Sequence, residues 1–404
     1  MIRIIHISDF HQEVEELNYK KEQLVTSLLK DLKAYVNDHS ILIFSGDLLD
    51  KGGKSFSKKT KNPFGLFQTS VLNKITDEFP ILKDKIFFVP GNHDIQRDLV
   101  TPIEQSGLIN ETSTLDKIED TIKGIRSKNN YTARLEKYKS FETDIYKPYS
   151  NKSLSYFENS FVLNVNNTKV GISCFNSSWL CYDDSDKGKL VIGENQIEKS
   201  LKYLKDCTVK IAVSHHPLEH LSKTDYDRVY PTIEKEYDMF VCGHVHSLDC
   251  SYRQGLYGDL LTSISRSTIA DHNPERKYVN GYSVIDYKKN HSSKIILRKY
   301  VETKKEFVPD NELGDLNGEK IYNSLSAVEK IDQVVSERAL DFVKDNRIQK
   351  LDDHLIVSVN NKTLGEIFVH PTISNFPISN SKIEAETKIE NKKYLIEDVL
   401  ASNE

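Results

Sequence analysis

Cysteine is scarce and poorly spaced for cross-linking. The 404 residues hold five, at Cys174, Cys181, Cys207, Cys242 and Cys250. They form no C-x-x-C pair and are odd in number, which argues against a disulfide framework or a structural zinc site. Long apolar runs are missing as well. The richest pieces are as short as Ile41 to Phe44, against the ~18 consecutive apolar residues a membrane-spanning helix needs, so no membrane partner is predicted. The first residues lack the apolar stretch and small-residue cleavage site of a secretory signal, and a cytoplasmic location is expected. The net charge of −5 offers no bulk positive field for nucleic acid and leaves a local basic patch as the electrostatic route. Internal repeats are absent, and so is the G-x-x-x-x-G-K-[ST] phosphate loop.

What is present reads as a soluble globular chain, with 38% hydrophobic and 28% charged residues. Its length suits one large catalytic domain with an appendage, or two ordinary domains. Residues 2 to 7 are apolar and β-branched, a short buried strand that ends in Ser8-Asp9-Phe10-His11. Helical periodicity follows from about Leu17 to Val36. A second strand begins at Ile41 and ends in Ser45-Gly46-Asp47; a helix-like stretch from about Leu66 to Phe79 leads to a third, Lys85 to Val89, before Gly91-Asn92-His93-Asp94. This rhythm predicts an α/β architecture, in which loops at the carboxyl ends of strands converge on one crevice.

Residues 98 to 150 are charged and helix-prone, and are predicted to be a helical insertion that either flanks the crevice or serves as a solvated spacer. Strand-like alternation covers 153 to 175, and a helix from Gly193 to Leu204 feeds the strand Lys210 to Val213, which ends in Ser214-His215-His216-Pro217. Met239 to Cys242 ends in Gly243-His244-Val245-His246. Strand-like segments continue to about Tyr300. The composition then turns to Lys, Glu, Asp and Asn, so the predicted boundary separates a domain of residues 1–301 from an extension or linker of residues 302–404.

The clusters supply carboxylate oxygen, amide oxygen and imidazole nitrogen, the ligands that divalent metals in hydrolytic sites take. The i, i+2 spacing of Asp9 and His11 at an extended strand end puts both side chains on one side, within reach of one ion. Asp47 and Asp50 follow a glycine that lets the backbone turn sharply; a plain strand-end turn fits them equally. Asn92 offers a neutral oxygen, and His93 beside it is placed to act on a substrate. His215, His244 and His246 complete the imidazole set, with His216 suited either to substrate contact or to packing.

The series D-x-H, G-D-x-x-D, G-N-H-D, H-H-P and G-H-x-H resembles the calcineurin-like metallophosphoesterase superfamily, over roughly residues 1 to 300. The resemblance implies the metallo-dependent phosphatase fold, two packed mixed sheets flanked by helices. It implies Asp9, His11 and His246 as ligands of one metal, Asn92, His215 and His244 as ligands of another, and Asp47 as the bridge. Two divalent ions, manganese first, with iron, zinc or magnesium as alternatives, would activate a hydroxide for in-line attack on a phosphoester. His93 would contact the phosphate or protonate the leaving oxygen. Asp50 and Asp94 would act as acceptors that orient imidazoles.

The second and third motifs look like those of diesterase and nuclease branches, which predicts phosphodiester hydrolysis in nucleic acid or nucleotides. The alternatives are a small-molecule phosphomonoesterase and a regulatory module whose catalysis has decayed. The basic loop Lys51 to Lys61 suits a phosphate backbone or mere solubility. Trp179, the only tryptophan, suits base stacking or the core. Phe368-Val369-His370-Pro371 and the stretch Tyr394 to Glu404, separated by the Ser/Asn-rich segment 375–381, resemble the approach to an NTPase module in STAND-type bacterial defence proteins. The expected partners are therefore a nucleotide or nucleic acid and either such a C-terminal module or a partner protein.

Overall fold

The computed structural model describes residues 1–12, 19–49, 62–128, 132–183, 185–255, 257–268 and 279–322. Asp50, the basic loop Lys51 to Lys61 and the segments near 368–381 and 394–404 lie outside the described residues. The chain opens with three parallel neighbours, β1 (Ile2–Ile7), β2 (Ser40–Phe44) and β3 (Ile86–Phe88). All but one of their residues are buried, which is why they read as continuous apolar runs rather than alternating ones.

It then builds a second sheet from β4 (Lys152–Leu154), β5 (Glu158–Val165), β6 (Thr168–Phe175), β7 (Val209–Val213), β8 (Met239–Cys242), β9 (Asp249–Gln254) and β10 (Asp259–Ile264). The return leg adds β11 (Gly281–Tyr287), β12 (Ser293–Val301), β13 (Glu306–Pro309) and β14 (Glu319–Tyr322) to the first sheet. Its order is β13-β12-β11-β1-β2-β3, with β14 on β12; that of the second is β4-β5-β6-β7-β8-β10-β9. Both are mixed: β1 runs antiparallel to β11, and β7 parallel to both β6 and β8. The two sheets meet through apolar and polar contacts alike. Phe87 of β3 packs on Phe161 of β5 with ring centroids 4.9 Å apart, and buried His6 of β1 touches Ser263 of β10 at 3.4 Å.

Helix Tyr19–Leu32 rests on the first sheet, where the Asp31 carboxylate accepts from Arg298 and from the Tyr282 hydroxyl. Among its described residues, segment 98–150 forms three α-helices, Pro102–Asn110, Leu115–Lys128 and Glu136–Tyr146. It is no solvated spacer. The Tyr146 hydroxyl accepts from the Phe88 amide at 2.7 Å and the Tyr149 hydroxyl from the Ile86 amide at 3.0 Å. The insertion thereby occupies the open edge of β3, whose unpaired amides would otherwise invite another strand. Phe64, Tyr138 and Phe141 join it to the core.

The compact unit runs over Met1–Ser324, past the predicted boundary at 301. That boundary falls between β12 and β13, which pair from Arg298 to Val301. β13 is only four residues long, and the charged stretch Glu302 to Glu306 that leads into it masks it. No described helix is long and apolar enough to cross a membrane.

Candidate metal centre

The carboxyl ends of β1, β2, β3, β7 and β8 deliver the motif residues to one place. Asp9, His11, Asp47, His244 and His246 all have positive φ, between 49° and 72°. That conformation costs an L residue about 1–2 kcal/mol, and its concentration in one cluster is the signature of a backbone bent to aim side chains. Two motif glycines have the complementary role of making room. Gly46, at φ 97°, lies where an added Cβ would come 2.5 Å from His215 Nδ1. At Gly91 it would come 2.0 Å from Asp47 Oδ1. The glycines of G-D-x-x-D and G-N-H-D are therefore steric conditions for bringing in a ligand of another motif, His215 and Asp47 respectively.

Two groups of donors result. In the first, Asp9 Oδ1 lies 3.3 Å from His246 Nε2 and 3.9 Å from His11 Nε2. In the second, Asn92 Oδ1, His215 Nε2 and His244 Nδ1 are mutually 3.0 to 3.2 Å apart. Asp47 stands between them: its Oδ2 is 3.3 Å from His215 Nε2 and 3.9 Å from His93 Nδ1, and it clusters with Asp9 as well as with His11. The structure thus brings together all seven predicted ligands and His93.

The donors are held in place from behind. Asp9 Oδ2 accepts from the Ser8 hydroxyl and, at 3.0 Å, from the His244 amide. Asp47 Oδ1 accepts from the His93 amide at 2.8 Å. His215 Nδ1 meets the Ser45 carbonyl at 2.7 Å; an N–H there leaves Nε2 with its lone pair facing Asn92 and Asp47.

The electrostatics favour a positive charge inside this ring of lone pairs. Burial lowers His11 to about 4, and burial with His215 nearby lowers His244 to about 3, so both rings are neutral donors. Burial also opposes charge on His215, yet the Asp47 carboxylate prevails and raises it to about 9. Asp47 itself is held well below the usual carboxylate range by His215, His93 and His11 despite its burial. A cation between Nε2 and Oδ2, proton or metal, is what this pair demands.

A metal pair fits these residues. Asp9 Oδ1 and His11 Nε2 are buried with no hydrogen-bond partner among the described residues, a costly arrangement unless an ion completes them. The 3.0–3.3 Å separations are those of atoms each about 2.0–2.2 Å from a shared ion.

Asp94 differs from its expected role. Its carboxylate accepts from three backbone amides, Gly91 at 2.9 Å, Leu49 at 3.0 Å and Leu48 at 3.2 Å, and not from an imidazole. It staples the turn after β2 to the turn after β3. Burial, with Asp47 adding to it, pushes its carboxyl up to about 7. Asp94→Ala leaves three buried amides without an acceptor and is expected to destabilise the unit by about 3–5 kcal/mol. Urea unfolding of both proteins under the same conditions checks this.

His216 also resolves. Its Nδ1 meets the Ser177 hydroxyl at 2.8 Å and its Nε2 lies 3.9 Å from Cys181 Sγ, so the ring packs behind the centre. Trp179 is fully buried, its indole N–H donating to the Val191 carbonyl at 2.7 Å and its ring edge-on to Phe157. It belongs to the core and is not placed to stack on a base. Trp179→Ala is expected to cost about 3–5 kcal/mol, read from the denaturation midpoint by circular dichroism.

Sequence reasoning missed the holders of the ligands, the Ser8 hydroxyl and the Ser45 carbonyl, and it missed His220, whose ring lies against His244. Ser8 and Ser45 are visible only as small polar residues at strand ends; the carbonyl leaves no trace in the sequence.

A two-sheet α/β fold with this donor set at its strand ends is the metallophosphoesterase architecture. The chain belongs to the calcineurin-like phosphoesterase family, whose model matches residues 2–248. It is 22% identical over 256 residues to the uncharacterized metallophosphoesterase-like protein YydB of Bacillus subtilis strain 168, a span that is 61% of this chain and 49% of that protein. The chain thus spans about half the length of this curated relative.

Among solved structures it is similar to the 5′-nucleotidase precursor of Thermus thermophilus, at 12% identity and a TM-score of 0.38 over 71% of this chain and 51% of that one. It is also similar to the Haemophilus influenzae NAD nucleotidase, at 13% identity and a TM-score of 0.38 over 85% and 55%.

Proposed function

We propose that the chain hydrolyses phosphodiester bonds of nucleic acid or nucleotides at a pair of divalent metal ions, manganese foremost. The observation that carries this reading is the convergence of seven lone-pair donors from five strand ends, with Asp47 between two groups of three. In this reading Asp9, His11 and His246 hold one ion, Asn92, His215 and His244 the other, and Asp47 both. When bound, such ions supply Lewis acidity to phosphoryl oxygens and an activated water.

The remaining work falls to the chain itself. His93 stands over the Asp47 side, its Nδ1 3.2 Å from His11 Nδ1, and it is only 8% exposed. From there it can hold a proton for the departing ester oxygen, which leaves as an alcohol rather than an alkoxide. The His93 amide bond to Asp47 fixes the distance between that proton and the centre. Ser45, Ser8 and the His244 amide keep the donors oriented while a substrate is bound. Support for the diester class comes from the G-D-x-x-D and G-N-H-D motifs and from the basic loop that follows Asp50 in the sequence.

The test is a panel assay with added manganese on bis-(p-nitrophenyl) phosphate, p-nitrophenyl phosphate, cyclic nucleotides and single- and double-stranded DNA. Turnover of the diester above that of the monoester is expected. A clear preference for the monoester would replace this reading with a phosphomonoesterase, and inertness toward every substrate would overturn it.

A further inference from the structure

Two cations that belong to neither the motifs nor the strands hold the centre from its carbonyl side. The Lys21 ammonium, on helix Tyr19–Leu32, donates to the His11 carbonyl at 2.9 Å. The Arg97 guanidinium, on the short turn Arg97–Leu99, donates through Nη2 to the Asn92 carbonyl at 3.2 Å. His11 belongs to one group of three donors and Asn92 to the other, so each group has one ligand residue tethered in this way.

Both tethers are anchored at their far ends. Lys21 is only 7% exposed, and a lysine is seldom buried unless its charge is partnered. Its helix is fixed to the first sheet by Asp31, which accepts from Arg298 and Tyr282, and by the Ser27 hydroxyl, which donates to the Lys305 carbonyl at 2.6 Å. The Arg97 turn is braced by the helical insertion. The Gln96 amide donates to the Arg134 carbonyl at 2.7 Å, and the buried Arg134 side chain donates in turn to Gln105 Oε1 and to the Cys181 carbonyl.

Hydrogen bonds from a charged donor are the strong ones, and each of these falls where a ligand needs it. His11 sits at φ 49° with its amide donating to the Asp47 carbonyl at 3.0 Å; Lys21 fixes the other side of the same residue. Asn92 offers the one neutral oxygen among the seven donors, the one least able to draw a cation by charge, so its placement decides whether it binds. Resting on the two-ion reading above, we infer that Lys21 and Arg97 are positioning residues, each serving one ion: Lys21 that of Asp9, His11 and His246, and Arg97 that of Asn92, His215 and His244. A role through charge alone has the opposite sign. A cation beside a dication repels it, so deleting the charge would tighten metal binding, whereas deleting a tether loosens it.

The experiment is a calorimetric titration of the metal-stripped full chain with manganese, comparing the parent with Lys21→Met and Arg97→Met. Anomalous difference peaks from crystals grown at limiting manganese assign each loss to a donor group. Methionine keeps an apolar stem and removes both the charge and the donor. Each variant is expected to bind one ion about ten- to hundredfold more weakly and the other within about threefold of the parent. The weakened ion is the one at Asp9, His11 and His246 in Lys21→Met, and the one at Asn92, His215 and His244 in Arg97→Met. The ion that each variant keeps shows that its fold persists. Unchanged or tighter manganese binding in a variant overturns that residue's positioning role, and loss of the same ion, or of both ions, from the two variants overturns the pairing of one tether with one ion. A parent that takes up fewer than two ions overturns the two-ion centre itself, and these roles with it.

Discussion

Asp47→Asn is expected to lower kcat on bis-(p-nitrophenyl) phosphate by at least about a thousandfold, with loss of bound metal. The change removes one negative charge while keeping shape and volume, so the fold should persist. The charge, however, is what both donor groups share. Asp47 Oδ2 faces His215 Nε2 at 3.3 Å, and the carboxylate also clusters with Asp9 and with His11 and His93. An amide at the same point offers a weaker oxygen on one side and an N–H toward a lone pair on the other. Losing a single preorganised electrostatic contact already costs about 10²–10³ in kcat in other hydrolases, and in the proposed centre the lost group would serve both ions at once. Metal analysis after dialysis should show fewer than two ions per chain. Activity and metal content within about threefold of the parent would show that Asp47 is no bridge.

His93→Ala separates chemistry from metal binding. Its ring stands beside His11 and Asp47 but is absent from both groups of three donors. Full metal content is therefore expected, with kcat lowered by about 10²–10⁴ as a general acid is lost. The loss should shrink for p-nitrophenolate, which departs without a proton, and grow for an alkyl or nucleoside leaving group. Equal losses for both classes would make His93 a positioning residue rather than a proton donor. Loss of metal would make it a ligand.

The parts of this site that were legible in the sequence are those where one residue type does one thing at a strand end. β1, β2 and β3 are short apolar runs because both of their faces are buried, and each is followed within four residues by the polar residue that enters the centre. The motif glycines were legible too, although their reason was not: Gly46 and Gly91 yield space to His215 and Asp47, which lie far away along the chain. Asp94 was placed in the right neighbourhood with the wrong partners, since an acid that caps backbone amides and one that orients an imidazole look alike as letters. Asp50 lies outside the described residues.

The support around the ligands was hidden for a related reason. The Ser45 carbonyl and the His244 and His93 amides are backbone groups that every residue carries, and only the turn geometry aims them. β13 and β14 escaped because Glu306–Pro309 and Glu319–Tyr322 draw their stability from pairing with β12 rather than from apolar periodicity of their own. His220 gave no motif at all; only the fold lays its ring against that of His244.

The most direct test of the two-ion centre is an anomalous difference map from crystals grown with manganese. Two peaks about 3.5–4 Å apart are predicted, one among Asp9, His11 and His246, the other among Asn92, His215 and His244, with Asp47 touching both. A single peak, or peaks elsewhere in the molecule with these side chains turned to one another, would contradict the account.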